Sequence, residues 1–294
     1  MSALFPPLFS SESRQSLYAD GGELVYELKR AASADARVVV LVPGMGDSRH
    51  EYRFLAPKLA AASLTVIVTE LRGTGESSSS FASYTPEDVA RDVIAILDAE
   101  HITSPVVFVG NSLAGASAVY AAAEYPDRVG AVVTLGGILK DNGVVFTTLF
   151  SLSTHLLFTS LWGAAAWSSF HATLFTSSHP PADLKEYIEK NKGYLVQDRG
   201  RIAAVGAFGR APKNGCWARV GQVKQPVLLV CGDKDPDFGD ATKETNAYKD
   251  AMTASKRCEV RMVPENGHYP HVEDPDIVFG HIMEFLKSEG VGMV

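Results

Sequence analysis

The chain has 294 residues, of which 46% are hydrophobic, a composition typical of a globular protein that buries one large core or two smaller ones. The formal net charge of -7, without any cluster of lysine or arginine, argues against a nucleic-acid partner, because phosphate binding needs a basic surface. The three cysteines lack metal-ligand and CxxC spacing, so we expect no metal site and a reducing, cytoplasmic location. Residues 1–16 do not resemble a secretory signal.

Short apolar runs alternate with helical segments along most of the chain. The predicted strands are residues 23–29, 37–42, 64–71, 105–109, 129–135, 227–230 and 259–263. The predicted helices are residues 54–62, 86–100, 114–124, 242–252 and 276–287. Unbroken Val, Ile and Leu strands separated by helices predict an α/β fold whose parallel sheet is covered on both faces. Such sheets bind ligands at the carboxyl ends of their strands, so the residues that follow each strand are the candidates for a site.

Residues 140–220 form too long a stretch for a simple connection between two strands. We interpret this stretch as a helical insertion, called the cap below, which lies over the carboxyl edge of a core made of residues 1–139 and 221–294. Its clearest amphipathic helix is predicted at residues 183–192.

The cap contains a long run without charged residues, since no Asp, Glu, Lys or Arg occurs between Asp141 and Asp183. A membrane span is one interpretation, but Ser, Thr and His dilute the run and no basic anchors flank it closely. We therefore expect no membrane span, and cap helices that line an apolar pocket. The candidate substrate contacts are Phe158, Trp162, Trp167, Phe170 and His155, although aromatic residues at such spacing also fit plain core packing.

The turn after strand 105–109 carries the most specific motif of the chain. Ser112 is surrounded by the small residues Gly110, Ala114 and Gly115, and an alanine-rich helical segment follows. This pattern predicts a strand, a strained turn and a helix, with the serine hydroxyl at the apex of the turn. The usual form is Gly-x-Ser-x-Gly, and Ala114 stands at its last position. An ordinary helix-capping serine is the alternative; in the functional interpretation Ser112 is a nucleophile.

The glycine-rich turn that follows strand 37–42 is a candidate oxyanion hole. Acyl transfer generates a tetrahedral oxyanion, which backbone N–H donors stabilise. The N–H groups of Met45 and of Leu113, the residue after the candidate nucleophile, are the expected donors. The alternative is a plain turn in which Asp47 or Ser48 caps the next helix, and both interpretations are compatible.

The turns after the last two predicted strands supply a candidate acid and base. A catalytic triad needs a carboxylate that orients an imidazole, and Asp235, which precedes a proline, is the first choice, before Asp237 and Asp233. His268 is the expected base because its pKa suits proton transfer near neutrality. His271 is the second candidate. Aspartate is also common in plain turns, which is the alternative for all three acids.

Taken together, these motifs resemble those of the α/β-hydrolase fold superfamily, in its serine-nucleophile branch with a helical cap. Ser112, Asp235 and His268 follow one another in that family's order of nucleophile, acid and base. The resemblance implies an eight-stranded, mostly parallel sheet, with the cap inserted after the sixth strand. Pro43-Gly44 stands where many members have His-Gly, which leaves the details of the oxyanion loop open.

The predicted function is a cofactor-independent serine hydrolase that cleaves a small to medium apolar ester or lactone. Two alternatives stay open: a lyase or cyclase with His268 as base, and a ligand-sensing protein with little turnover. Amide, thioester or carbon–carbon bond cleavage would also suit a serine nucleophile. The expected partner is a small apolar molecule, and a homodimer is one possible assembly that the sequence does not decide.

Overall fold

The computed structural model describes residues 4–141, 158 and 162–288, and eight strands within them form one sheet. The strands are β1 (Arg14–Ala19), β2 (Gly22–Lys29), β3 (Val38–Val42), β4 (Thr65–Thr69), β5 (Val106–Asn111), β6 (Val129–Leu135), β7 (Val227–Gly232) and β8 (Cys258–Val263). Their spatial order is β1-β2-β4-β3-β5-β6-β7-β8. The β1–β2 and β2–β4 pairs are antiparallel and the other pairs are parallel. The predicted α/β fold with a mostly parallel sheet is therefore confirmed.

The central strands are apolar on both faces because helices cover both sides of the sheet. β3 reads Val-Val-Val-Leu-Val, and every one of its residues is buried. β1, by contrast, is a largely exposed edge strand that pairs only with β2. The sequence analysis missed it because an exposed edge strand needs no apolar run.

The described helices are α1 (Leu55–Ala61), α2 (Pro86–Ala99), α3 (Leu113–Glu124), α4 (Gly163–Thr173), α5 (Leu184–Gln197), α6 (Arg199–Arg210), α7 (Asn214–Trp217), α8 (Ala241–Ala251), α9 (Pro270–Glu273) and α10 (Pro275–Ser288). Two short 3-10 helices lie at Arg49–Tyr52 and Val220–Gln222. Helices α2, α3 and α8 pack on one face of the sheet, and α1 and α10 pack on the other.

Helices α4 to α7 all lie in the chain between β6 and β7, which is where the cap was expected. The amphipathic helix predicted at residues 183–192 extends further, over Leu184–Gln197. Within the described parts of the chain, no helix is both long enough and apolar enough to cross a bilayer. Part of the charge-free run, including His155, lies outside the described residues.

Candidate active site

Ser112 stands at a strained turn between β5 and α3. Its φ of 52° and ψ of -121° lie in a region that side chains other than glycine rarely adopt. Gly110 is required nearby, because a Cβ atom there would lie 2.2 Å from the backbone oxygen of Ala114. A backbone hydrogen bond also fixes the turn: the Ser112 N–H donates to the Leu135 carbonyl at 3.0 Å. The sequence therefore folds here as the predicted strand, strained turn and helix, called the elbow below, with Ser112 at the apex of the turn.

His268 and Asp235 are brought together by the loops that follow β8 and β7. The Nδ1 atom of His268 lies 2.8 Å from Oδ2 of Asp235, and both side chains are buried. The other oxygen of Asp235 accepts the N–H of Asp237 at 3.0 Å, which fixes the carboxylate. A carboxylate in this place holds the imidazole with its other nitrogen, Nε2, free to exchange a proton. Of the three candidate aspartates, Asp235 is therefore the one whose geometry suits the triad acid.

Asp237 lies on the opposite side of the same imidazole. Its Oδ2 atom is 3.6 Å from Nε2 of His268. Burial would lower the pKa of His268, but the charges of Asp235 and Asp237 and the hydrogen bond to Asp235 outweigh burial and raise this pKa to about 9. Burial also raises the pKa of Asp237 itself. A histidine between two carboxylates holds its proton to higher pH than an isolated imidazole does.

Ser112 and His268 line the same cavity, but within the described parts of the chain no hydrogen bond joins the serine hydroxyl to the imidazole. The nitrogen that would take the serine proton faces Asp237 instead. Catalytic hydrogen bonds in ligand-free enzymes are often long and shorten only when substrate binds. The structure therefore places Ser112 and His268 at one cavity, with Asp235 and Asp237 on the two sides of the imidazole.

The loop between β3 and the first 3-10 helix brings Met45 next to Ser112. A Cβ atom added at Gly44 would lie 2.5 Å from Oδ1 of Asn111 and 3.2 Å from the Ser112 Cβ, so glycine allows this close approach. Within the described residues, neither the Met45 N–H nor the Leu113 N–H donates to a backbone carbonyl. Leu113 also begins α3, where N–H groups have no intrahelical acceptor and the helix dipole favours negative charge. Two free donors beside a serine suit an oxyanion.

The cap supplies part of the cavity wall. Trp167 and Phe170 line the cavity, as the sequence predicted. Phe158 packs on Trp167, with ring centroids 5.7 Å apart, and is not among the lining residues. Trp162 is also absent from the lining and is 52% exposed, because it stands at the N-terminal end of α4 rather than on its inward face. These two residues therefore do not line the described cavity, and their role as substrate contacts stays a prediction.

The cavity is not uniformly apolar, which corrects a second expectation. Besides aromatic and aliphatic side chains, Lys140, Asp141, Lys213 and Asp237 line it. Lys213 is paired with Asp141, with Nζ 3.6 Å from Oδ1. The sequence analysis expected an apolar pocket from the charge-free run, but Lys140 and Asp141, which precede the run, and Lys213 and Asp237, which follow it in the chain, also line the cavity.

Two residues that the sequence analysis did not single out help to build the site. Asn111, fully buried, donates from Nδ2 to the carbonyls of Leu135 at 2.8 Å and His268 at 3.2 Å, and so joins the elbow to the histidine loop. Tyr269 is buried beside His268, with the two rings perpendicular and their centroids 5.3 Å apart. The only sequence signal for Asn111 and Tyr269 is that they adjoin Ser112 and His268, respectively.

His271, the second candidate base, has a different role. It does not line the cavity, and its Nε2 atom lies 3.0 Å from Oε1 of Glu51 in the interior. Burial lowers the pKa of His271 to about 3, so that it stays neutral. It therefore supports the core behind the oxyanion loop.

The described residues offer one group that resembles a metal site: ligand atoms of Asp235, Asp237 and His268 all lie within 4.8 Å of one another. Two of the three already hydrogen-bond to each other, which is the arrangement of a triad. The expectation that the protein needs no metal and no cofactor stays a prediction.

Comparisons with known proteins agree with the fold. A family model described as alpha/beta hydrolase fold matches residues 37–275. A Caulobacter segnis protein provisionally named carbamate hydrolase RutD is 31% identical over 277 residues, which cover 90% of this chain and 97% of that protein. A Bacillus subtilis protein provisionally named 2-succinyl-6-hydroxy-2,4-cyclohexadiene-1-carboxylate synthase is 27% identical over 267 residues, covering 86% and 91%. The enol-lactonase of Burkholderia xenovorans superimposes with a TM-score of 0.78 at 18% identity, covering 93% of this chain and 100% of the other.

Proposed function

The chain belongs to the alpha/beta hydrolase fold family, whose members include hydrolytic enzymes, and from that premise we propose that it is a serine hydrolase. Its substrate in this proposal is a small to medium ester or lactone, and the reaction proceeds through an acyl-enzyme without a cofactor. The observation that carries the proposal is the strained Ser112 beside two free N–H donors, in one cavity with His268, whose imidazole is hydrogen-bonded to the buried Asp235.

In the proposed reaction the Ser112 hydroxyl attacks the substrate carbonyl while Nε2 of His268 takes the hydroxyl proton. Asp235 accepts the Nδ1–H hydrogen bond, which fixes the tautomer and stabilises the imidazolium. His268 then gives its proton to the leaving alcohol. Water, activated by the same imidazole, hydrolyses the acyl-enzyme and restores Ser112.

The N–H groups of Met45 and Leu113 hold the oxyanion in this proposal. Backbone donors fixed by a loop and by a helix N-terminus need no reorganisation when the charge develops, and this makes them effective in a buried site. Pro43 in place of a histidine does not weaken this role, because the donors belong to the backbone.

The imidazole must leave Asp237 before it can serve Ser112. In the free protein Nε2 faces Oδ2 of Asp237 at 3.6 Å. We propose that a bound substrate screens Asp237 from the ring, so that Nε2 turns to the serine hydroxyl.

The cavity lining supports an amphipathic substrate. Trp167, Phe170 and Phe208 suit an apolar group, whereas the Lys213–Asp141 pair offers hydrogen bonds to a polar group at another part of the same wall. The apolar ester or lactone expected from the sequence is thus refined to one that also carries a polar substituent.

The decisive experiment is Ser112→Ala with ester hydrolysis and fluorophosphonate labelling as readouts. We expect kcat to fall by roughly 10⁴-fold or more and labelling to disappear, without loss of the folded state. Ser117→Ala is the matched control, because Ser117 is a buried serine of the same helix that does not line the cavity. Near-native hydrolysis by Ser112→Ala would refute the proposal.

A lyase is the second candidate. It is favoured because Nε2 of His268, a residue that lines the cavity, faces Asp237 and not Ser112. In that function His268 would remove a proton from the substrate directly, and Ser112 would stay unacylated. Ser112→Ala would then keep much of the activity, whereas His268→Ala would abolish it.

A further inference from the structure

The loop that carries Met45 is in direct contact with the cap. Trp167 of α4 donates from Nε1 to the Gly46 carbonyl at 3.1 Å. Gly46 has a φ of 72°, and a Cβ atom there would lie 2.5 Å from the Trp167 ring, so the indole rests directly on the backbone of the loop. The loop thus touches the cap one residue after the candidate oxyanion donor.

Asp47 is the centre of this contact. Its carboxylate is 1% exposed and is contacted by three side chains of the cap. Nε2 of His171 lies 3.1 Å from Oδ2, Nδ2 of Asn191 donates to Oδ1 at 2.7 Å, and the hydroxyl of Tyr187 also donates to Oδ1. These side chains come from two different helices, α4 and α5. Ser48 adds a further bond, from its hydroxyl to Oδ1 of Asn191 at 2.7 Å.

The charge on Asp47 is retained although the site is buried. Burial would raise the pKa of Asp47, but the charge of His171 and the hydrogen bonds from Tyr187 and the Ser48 N–H outweigh burial and lower it. Within the described residues, these side-chain donors to Asp47 belong to the cap. A buried carboxylate that loses such partners is strongly destabilised, so the loop adopts its present shape only while α4 and α5 are seated.

We propose that Asp47 is a positioning residue that ties the geometry of the Met45 donor to the seating of cap helices α4 and α5. This inference rests on the proposed function, since Met45 matters only if an oxyanion forms. Its consequence is that the cap acts on catalysis as well as on access: a displaced cap leaves the oxyanion loop without its supports, and a seated cap completes it.

The sequence analysis gave, as the alternative to an oxyanion hole, a plain turn in which Asp47 or Ser48 caps the following helix. The 3-10 helix at Arg49–Tyr52 has no side-chain cap bond, and both side chains point to α4 and α5 through the contacts given above. Neither side chain caps the 3-10 helix, because these hydrogen-bonding groups are committed to the cap, although Asp47 also accepts the Ser48 N–H at 2.8 Å.

The test compares Asp47→Asn and Tyr187→Phe with Asp183→Asn. Asp183 also joins the cap to the core, through two bonds to Arg53 at 2.7 and 2.9 Å, but it does not touch the loop. We expect Asp47→Asn to lower kcat about 10²-fold with KM nearly unchanged, because a small misplacement of a catalytic group costs about that much. Tyr187→Phe should lower kcat less. Asp183→Asn should leave kcat unchanged, because the Asp183 side chain is 40% exposed and its ion pair with Arg53 therefore adds little to the seating of α5.

A trifluoromethyl ketone provides the readout that a merely structural role would not move. Ser112 adds to its carbonyl carbon, the hydroxyl proton passes to His268, and the carbonyl oxygen becomes an oxyanion between the two N–H donors. The inhibition constant should rise with the loss in kcat for the loop variants while KM stays level. If Asp47→Asn fails to fold, the Tyr187→Phe comparison decides the question alone.

The proposal is overturned if the loop variants raise KM with kcat and the inhibition constant unchanged, or if they do no more than Asp183→Asn. Failure of the proposed function looks different, because then wild-type protein would not label with a fluorophosphonate or Ser112→Ala would keep ester hydrolysis.

Discussion

Two buried aspartate–histidine pairs lie on either side of the oxyanion loop, and they differ in what surrounds them. Asp235 and His268 are 2.8 Å apart and both come from loops at the carboxyl ends of β7 and β8. Asp47 and His171 are 3.1 Å apart and join the core to the cap. The first contact is a hydrogen bond, whereas the second is a close contact without hydrogen-bond geometry, and the two pairs also differ in position.

Access to the cavity separates the two pairs. His268 lines the cavity beside Ser112, and Asp237 faces its second nitrogen. His171 does not line the cavity and is enclosed by rings of Trp167, Tyr187 and Tyr269. A base needs a nitrogen that can reach a substrate, whereas a packed and enclosed imidazole can only hold its partner in place.

The largest expected effect separates the two carboxylates that face His268. Asp235→Asn should lower kcat about 10⁴-fold, because an amide favours the wrong imidazole tautomer. Asp237→Asn should lower kcat only mildly, because Asp237 does not hold Nδ1. Steady-state ester hydrolysis measures both, with circular dichroism to verify folding. A severe Asp237→Asn and a mild Asp235→Asn would make Asp237 the triad acid.

The pH profile should show a smaller effect of the same arrangement. A base whose pKa is raised to about 9 is mostly protonated at neutral pH, so kcat/KM should rise with pH and level off only above that value. Asp237→Asn removes one of the charges that raise this pKa, while Asp235 and Glu273 remain, so the rising limb should move to lower pH. Activity at pH 7 relative to the plateau should then increase several-fold.

The control for this profile is Asp183→Asn, which removes a carboxylate remote from His268 and should leave the limb in place. If the rising part of the pH profile does not move in Asp237→Asn, the charge of Asp237 does not affect the pKa of His268.

The pair at the sheet edge was predictable from the sequence, because its residues follow strands. Parallel strands end at one edge, so residues directly after β5, β7 and β8 must come close together. Asp235 and His268 therefore carry a local signal, and the fold class followed from the same unbroken strands. The ranking of Asp235 over Asp237 depended only on a neighbouring proline.

The pair under the cap had no comparable signal. His171 lies on a helix whose apolar and polar residues are mixed, and its partner Asp47 is 124 residues earlier in the chain. No local sequence pattern predicts that a cap helix contacts the loop after β3, because that contact depends on how the whole insertion packs. The same reason explains why Lys140 and Lys213 were missed as cavity residues.

The smallest expected effect concerns stability, and it tests whether the second pair is purely positional. His171→Phe keeps a ring among the neighbouring aromatic side chains but leaves the Asp47 carboxylate with one partner fewer. We expect the free energy of unfolding to fall by about 1–3 kcal/mol, the range for leaving a buried polar group without its partner, with part of the loss recovered when Asp47→Asn is added. Urea unfolding measures each variant. If His171→Phe instead lowers kcat as much as His268→Phe does, with no change in stability, His171 is part of the catalytic machinery and the two pairs no longer differ in role.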